Sequence, residues 1–388
     1  MTDKALWGRT AIVGIGESDY GQLYRSEPKS KAAMAIEAVH RAIVDAGIDK
    51  QDVDGLVVGG MPMYDPFMYR AGMQDVRFLA HYPLAGRLCP QALAQAVLAV
   101  HHGMANYVVL FNVVNFRGGR RRFGGDAAAS EEMGMGSLGP MYDMAYGMTS
   151  PGAQYALLWS RYLALYGGTD ADLAAIAVGT RQWATMNPNA TFQDPLTVEE
   201  YLRAPYIAEP LRLFDYCLVS DGCAAYVITT AERAADLPRP PVLVGSLASR
   251  ANVRPYYADE DFWAGACASL KRDLFAPADI TLEDVDGLQV YDNFSPAVIW
   301  ALEGFGFAAR GEGLKWVQNG RCAPGGELPL NTAGGMLSEA YLQGWNAHVE
   351  AVRQLRHEAG PRQIPDCQHV LYLGLSAVPG ATLLFRSR

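Results

Sequence analysis

Most residues in this chain that could act as acids, bases or nucleophiles are dispersed, but one dipeptide is singled out by its place in a repeat. The segment Ile48–Gly60 (IDKQDVDGLVVGG) returns as Ile280–Asp292 (ITLEDVDGLQVYD), identical at seven of thirteen positions at a fixed offset of 232 residues. The first copy ends in Gly59-Gly60 and the second in Tyr291-Asp292, so a phenol and a carboxylate stand where the counterpart offers only backbone. Proton transfer needs a positioned titratable group, and this difference is where chemistry is expected. The other candidates are weaker. The six cysteines (Cys89, Cys217, Cys223, Cys267, Cys322, Cys367) show no CxxC spacing and are read as reduced, with no metal site. The seven histidines show no ligand spacing, and His101-His102 closes a helix, where it complements the dipole. Asp221, in Ser-Asp-Gly, reads as a turn at a strand entry. Arg117, Arg120, Arg121 and Arg122 form one basic cluster, either a solvated loop or a contact for a phosphate-bearing ligand or acidic partner.

Composition bounds the class. With 388 residues, half of them apolar, the chain has length for a large core and more than one domain. A net charge of −9 argues against a general nucleic-acid binder, which needs a broad positive field. No apolar run suits a membrane span, and Met1-Thr2-Asp3-Lys4 does not open a signal peptide, so a cytoplasmic protein is expected.

The elements that must position Tyr291 follow from periodicity. Ala11–Ile15 reads as a strand, Lys31–Ala46 as a helix stopped by Gly47, and Leu56–Val58 as a second strand. A long loop with Pro62, Tyr64, Pro66 and Tyr69 follows, then an Ala-rich helix over Gln91–His102 and a buried strand over Tyr107–Val114. This alternation predicts a mostly parallel sheet. From Phe116 to about Pro210 the Gly-, Met- and Tyr-rich character suggests an insertion, with helices near Ala153–Tyr166 and Asp170–Thr185. A strand over Ala224–Ile228 follows, and the stiff link Pro238-Arg239-Pro240-Pro241 divides the chain into halves at 1–237 and 238–388. The second half repeats the plan with strands at Val242–Gly245, Leu288–Tyr291 and His369–Leu375, and helices at Pro296–Leu302 and Leu337–His357. A repeat this long indicates a duplicated domain. With one Ala-rich or partner helix from each half lying between two sheets, the prediction is an α/β fold in an α/β/α/β/α sandwich.

A duplicated chain carrying these strings resembles the thiolase superfamily, in particular the sterol carrier protein thiolases and their relatives. The carriers are AIVGIGESDYG at the start, NPNA at Asn187–Ala190, EPLRLFDYCLVSDGCAAYVIT at Glu209–Thr229, YDNF at Tyr291–Phe294 and NTAGG at Asn331–Gly335. The resemblance implies the duplicated five-layered thiolase fold over nearly the whole chain. The departures are informative. Counting back from Gly103 sets the nucleophilic cysteine of thiolases at Gly86, and Cys89, three residues on, reads as a packed helix residue. The GHP histidine aligns with Tyr341. The first residue of the NEAF or HDCF motif aligns with Tyr291, and the glycine loop Gly374–Gly380 lacks the second cysteine. Claisen chemistry through an enzyme thioester then has no covalent route.

Tyrosines at both places resemble the thiolase-like aldolases that cleave steroid side chains in bacteria. That resemblance implies a lyase of steroid and lipid metabolism performing retro-aldol cleavage of a β-hydroxyacyl-CoA to a ketone and a shorter acyl-CoA. Tyr291 and Tyr341 would be the catalytic pair. Such a step needs a base for the β-hydroxyl proton, donors for the thioester enolate and an acid for its α-carbon. Asp292 and Asn293 are candidates to orient the tyrosines or bind the thioester oxygen, and backbone NH groups of Gly374–Gly380 to hold the enolate. Asn331, Gly334 and Gly335 read as a tight turn that places Tyr341. No cofactor is expected beyond the coenzyme A of the substrate. The family resemblance also implies a homodimer through the first-half sheet and an accessory protein, built from an OB-fold and a zinc ribbon, that would complete a heterotetramer. Met61–Met73 and Met133–Met148 suit either a bulky apolar ligand or core and dimer contacts. Two other readings stay open: an atypical acyltransferase using Cys89 or another cysteine, and a catalytically silent acyl-CoA or lipid-binding subunit.

Overall fold

The computed structural model describes residues 6–61, 64–73, 75–82, 86–120, 148, 150–250, 261, 263–265, 267–278, 280–375 and 380–387. The chain opens with strand β1 (Thr10–Glu17), helix α1 (Lys31–Ala46), β2 (Gly55–Gly59), α2 (Asp65–Ala71), β3 (Phe78–Tyr82), α3 (Pro90–His101) and β4 (Val108–Asn115). An excursion follows with α4 (Pro151–Tyr166), α5 (Asp170–Ala184) and a small ribbon of β5 (Tyr206–Ala208) and β6 (Leu211–Arg212). The chain returns through β7 (Asp221–Thr230) and continues as β8 (Val242–Ser249), α6 (Cys267–Phe275), β9 (Gly287–Val290), α7 (Ser295–Phe305), α8 (Trp345–Leu355), β10 (His369–Gly374) and β11 (Ala381–Arg386).

Strand order shows the duplication. The large sheet runs β3-β2-β4-β7-β1-β8-β11-β10-β9, so the order β2-β4-β7-β1 on one side is mirrored as β9-β10-β11-β8 on the other. The halves meet where β1 and β8 pair antiparallel, over Ala11 with Leu243 and Ile12 with Val242. The repeat seen in the sequence is therefore a structural one. Lys50–Asp52 and Leu282–Asp284 are equivalent short 3-10 turns, each closed by a reciprocal capping box, and each leads into the strand that ends at the diverging dipeptide.

The sheet is mixed, which corrects the expectation of a mostly parallel one. β2 pairs parallel with β3 and β4, and β9 with β10, as strand–helix–strand alternation requires. But β7 inserts antiparallel between β4 and β1, and β11 between β10 and β8. Both arrive after a segment that is not a crossover helix, so the alternation could not foresee their direction. The stretch after β2, expected as a loop, contains α2 and the edge strand β3. Pro66 is compatible with helix because it occupies the first turn, where its missing N–H costs nothing.

Three apolar clusters define the layers. Leu93 and Val97 of α3 and Val349 and Val352 of α8 lie between the half-sheets, against Leu110, Tyr226, Val370 and Leu383. Outside the first half-sheet, Met34, Val39 and Ile43 of α1 and Phe67 of α2 cover Val58, Phe111 and Val227. Outside the second, α4, α5, α6 and α7 cover Leu288, Leu371 and Leu384. The result is the five-layered α/β/α/β/α arrangement, with α3 and α8 as the central layer.

One departure matters for the site. The helix expected over Leu337–His357 is broken: a single π-helical turn spans Gly335–Glu339, Ala340 is extended, and α8 starts only at Trp345. Gln343 and Gly344 have φ of 56° and 89°, left-handed values that end one turn and redirect the chain into the next. Tyr341 thus leaves the helical register and projects from a short irregular bridge.

Candidate functional site

Tyr291 follows the last residue of β9, where its backbone N–H donates to the Leu373 carbonyl at 3.0 Å and extends the pairing with β10. Its side chain enters the central layer and is 4 % exposed. The Tyr291 and Tyr341 hydroxyls lie 2.9 Å apart, although fifty residues separate them in sequence. Tyr341 is half-buried, its N–H donates to Ser220 Oγ at 2.9 Å, and its ring stacks on Phe116 at 5.8 Å. Burial raises the Tyr291 pKa well above the ordinary tyrosine value, with the neighbouring Tyr341 hydroxyl adding to it. Tyr291 therefore keeps its proton at neutral pH.

Gly86, where the thiolase resemblance sets the cysteine, shows how this pair finds its space. A Cβ on Gly86 would lie 2.7 Å from the Tyr291 hydroxyl and 2.7 Å from both the Cβ and the carbonyl oxygen of Gln343. The phenol thus occupies the room a side chain at Gly86 would need. The ends of the glycine loop converge on the same turn: side chains at Gly374 or Gly380 would collide with the Arg87 carbonyl. Residues 376–379 between them lie outside the described residues.

The NTAGG motif holds the two tyrosine-bearing segments together. Asn331 Oδ1 accepts from Val290 N–H at 2.7 Å and its Nδ2 donates to the Val290 carbonyl at 3.2 Å, so the side chain caps the end of β9. Asp292 Oδ1 accepts from Met336 N–H at 2.9 Å, tying the residue after Tyr291 to the π-helical turn before Tyr341. Gly335 sits against this carboxylate so closely that a Cβ would overlap it. Asp292 is fully buried, and burial pushes its pKa up to about 7. Asn293 faces elsewhere, its Oδ1 accepting from Tyr155 at 3.1 Å.

The structure brings Tyr291, Gly374 and Gly380 to the Gly86–Leu88 turn and Tyr341 to Tyr291, while Asp292 faces Met336 and Gly335 and Asn293 is engaged with α4. Cys89 follows that turn directly and is 1 % exposed at the head of α3, with Sγ 3.6 Å from His348 Nε2 and 3.3 Å from the Tyr372 hydroxyl. Burial pushes its thiol up and the His348 imidazole down to about 3. Asp221 opens β7 and accepts from the N–H groups of Arg117 and Gly118 at 2.9 Å each, the turn role its sequence suggested. Arg117 stacks over Tyr24 at 5.1 Å, and Arg121 and Arg122 lie outside the described residues. Sequence reasoning missed Ser220, Phe116, Asn112 and Gln343, whose proximity arises only when the halves close.

Comparison with known proteins agrees with this architecture. Residues 251–382 match a family described as thiolase C-terminal domain-like. The chain is 34% identical over 387 residues to a 17-hydroxy-3-oxo-4-pregnene-20-carboxyl-CoA lyase of Mycobacterium tuberculosis, covering 98% of this chain and 99% of that protein. It is 34% identical over 389 residues to a steroid side-chain-cleaving aldolase of Thermomonospora curvata, covering 98% of each. Among solved structures it resembles an Ltp2-ChsH2(DUF35) aldolase with a TM-score of 0.88 and 32% identity, again covering 98% of both chains.

Proposed function

The chain belongs to the thiolase superfamily, in the branch of the steroid side-chain-cleaving aldolases, and we propose from that premise how it works. It is a carbon–carbon lyase that cleaves a β-hydroxyacyl-CoA, a steroid side-chain thioester, by a retro-aldol step to a ketone and a shorter acyl-CoA. Tyr291 and Tyr341 are the catalytic pair in this reading. The observation that carries it is their 2.9 Å hydroxyl contact, over a glycine where a thiolase would hold its nucleophile.

The pair suits the proton balance of the reaction. The bond between the α- and β-carbons breaks, its electron pair becomes the thioester enolate, the β-hydroxyl loses a proton as the ketone forms, and the α-carbon gains one. Two hydroxyls in contact can do both ends of this exchange. The tyrosine facing the β-hydroxyl accepts its proton while passing its own to the other, which supplies the α-carbon. No free tyrosinate accumulates, so the raised pKa of Tyr291 is no obstacle. Asp292 acts by fixing Tyr291 to the turn before Tyr341, and Asn293 fixes the chain beyond it against Tyr155. Gly374 and Gly380 shape the loop that would face the thioester.

The two halves 1–237 and 238–388 are the units of the duplication. A homodimer through the first-half sheet is favoured by the position of β3 at its edge, where Leu79 is exposed. An OB-fold and zinc-ribbon accessory protein fits the pairing named for the Ltp2-ChsH2(DUF35) aldolase. The enzyme works without a cofactor other than substrate coenzyme A, in the cytoplasm; among the described residues no helix is long and apolar enough to cross a membrane. The test is incubation with steroid side-chain β-hydroxyacyl-CoA thioesters, with mass spectrometry of the products. Stoichiometric ketone and shortened acyl-CoA are expected. Acyl transfer to a second thioester, or binding without turnover, would contradict it.

A further inference from the structure

The retro-aldol step needs a donor for the thioester oxygen as negative charge builds on it, and the tyrosine pair is occupied with proton transfer. We infer that the Gln343 carboxamide is that donor, held in position by Asn112. The inference rests on the tyrosine pair being the reacting centre.

Three observations converge on Gln343. It is a half-buried residue two positions beyond Tyr341, on the irregular bridge between the π-helical turn and α8. Its φ of 56° lies in the left-handed region, unusual for a side chain of this length. Finally, its Cβ and the Tyr291 hydroxyl both border the space above Gly86, each 2.7 Å from a Cβ built there.

The orientation of its amide follows from Asn112. This residue is buried on β4, and its Nδ2 lies 3.4 Å from the Leu342 carbonyl and 3.3 Å from Gln343 Oε1. The Leu342 carbonyl can only accept, so the Asn112 atom facing it must be the nitrogen. The Gln343 atom facing the same nitrogen must then be its oxygen, which leaves Nε2 as the amide atom not engaged by Asn112. Among the described residues no hydrogen bond is made by that Nε2, so both of its hydrogens are available to a ligand. A neutral amide fixed in this way stabilises an enolate oxygen without reorganising during the reaction. It also adds no charge that would shift the tyrosines.

Gln343→Glu keeps the shape and the contact with Asn112 but removes both donors, and Gln343→Met removes all polarity at similar volume. Full-length enzyme carrying either change should melt as the wild type does and lose about 10²- to 10³-fold in kcat, with KM changed only a few-fold. Asn112→Ala should lose less in kcat, because the amide remains but is no longer held. An unreactive coenzyme A thioether, which has no carbonyl oxygen, should bind wild type and Gln343→Met with equal Kd. Wild-type kcat in Gln343→Met, or a thioether Kd weakened as much as turnover, would overturn the assignment. Tyr291→Phe and Tyr341→Phe in the same assay separate the two ideas. If they are inactive while Gln343→Met is fully active, only the donor assignment fails. If they are fully active, the reading of the site fails first.

Discussion

Two pairs of side chains in the central layer look able to transfer protons, and their environments differ in what they permit. Cys89 and His348 stand 3.6 Å apart, at the spacing of a nucleophile and its base. Tyr291 and Tyr341 stand 2.9 Å apart. In the first pair both partners are 1 % exposed, and burial moves their proton affinities in opposing directions, the thiol up and the imidazole down to about 3. Moving a proton from sulfur to nitrogen would create two charges in a place that penalises both, and both residues are closed off from solvent. In the second pair Tyr341 is half-buried beside Phe116, and a proton can pass between neutral hydroxyls without charge separation. Residue type and spacing nominate a site, but access and the cost of charge decide it.

The largest effect that would break this contrast is at the tyrosines. Tyr291→Phe or Tyr341→Phe should lower kcat by about 10²- to 10⁴-fold with little change in melting temperature, because each loses a proton carrier and keeps its ring. Acyl-CoA release measured by mass spectrometry checks it. Gly86→Ala should come next, since its methyl meets the Tyr291 hydroxyl and Gln343 at 2.7 Å. Displacing them should cost about 1–3 kcal/mol of stability and at least tenfold in kcat, read by denaturant unfolding and steady-state kinetics.

A pH effect sharpens the role of the support behind the pair. Asp292 binds its proton more tightly folded, with a pKa near 7, than unfolded, so its contribution to stability is present below about pH 4 and is lost as pH rises toward 7. Asp292→Asn, which keeps the acceptor for Met336 N–H, should remove that slope. The unfolding free energies of variant and wild type should diverge in the variant's favour by on the order of 2–4 kcal/mol between these limits. The smallest effect is expected at Cys89. Cys89→Ala should leave kcat within about twofold and cost about 1 kcal/mol of stability, and thiol alkylation of the folded enzyme should not inhibit it. Inhibition by alkylation at Cys89 would revive the acyltransferase reading.

Much of this was legible in the chain because the signals were local or repeated. The offset of 232 residues between Ile48–Gly60 and Ile280–Asp292 anticipated the mirrored strand order, and Gly47 ends α1 where the sequence placed its stop. The tyrosines emerged as departures at two motif positions. What escaped depended on contacts between distant segments. The direction of β7 is set by how a long excursion returns, β11 turns back on β10 after only a short connection, and β3 is a half-exposed edge strand whose alternation is weak. The break before α8 comes from left-handed backbone at Gln343 and Gly344, and only the glycine announces such a geometry in sequence. Asn112 and Gln343 meet across more than two hundred residues, a proximity that no spacing rule contains.

The central claim is that Tyr291 and Tyr341 act as one proton relay, and a double-mutant cycle in kcat tests it most directly. With Tyr291→Phe, Tyr341→Phe and the double variant assayed on one β-hydroxyacyl-CoA, the relay predicts that the double variant loses no more than about threefold beyond the worse single variant. Losses that multiply would show two independent groups and contradict the account.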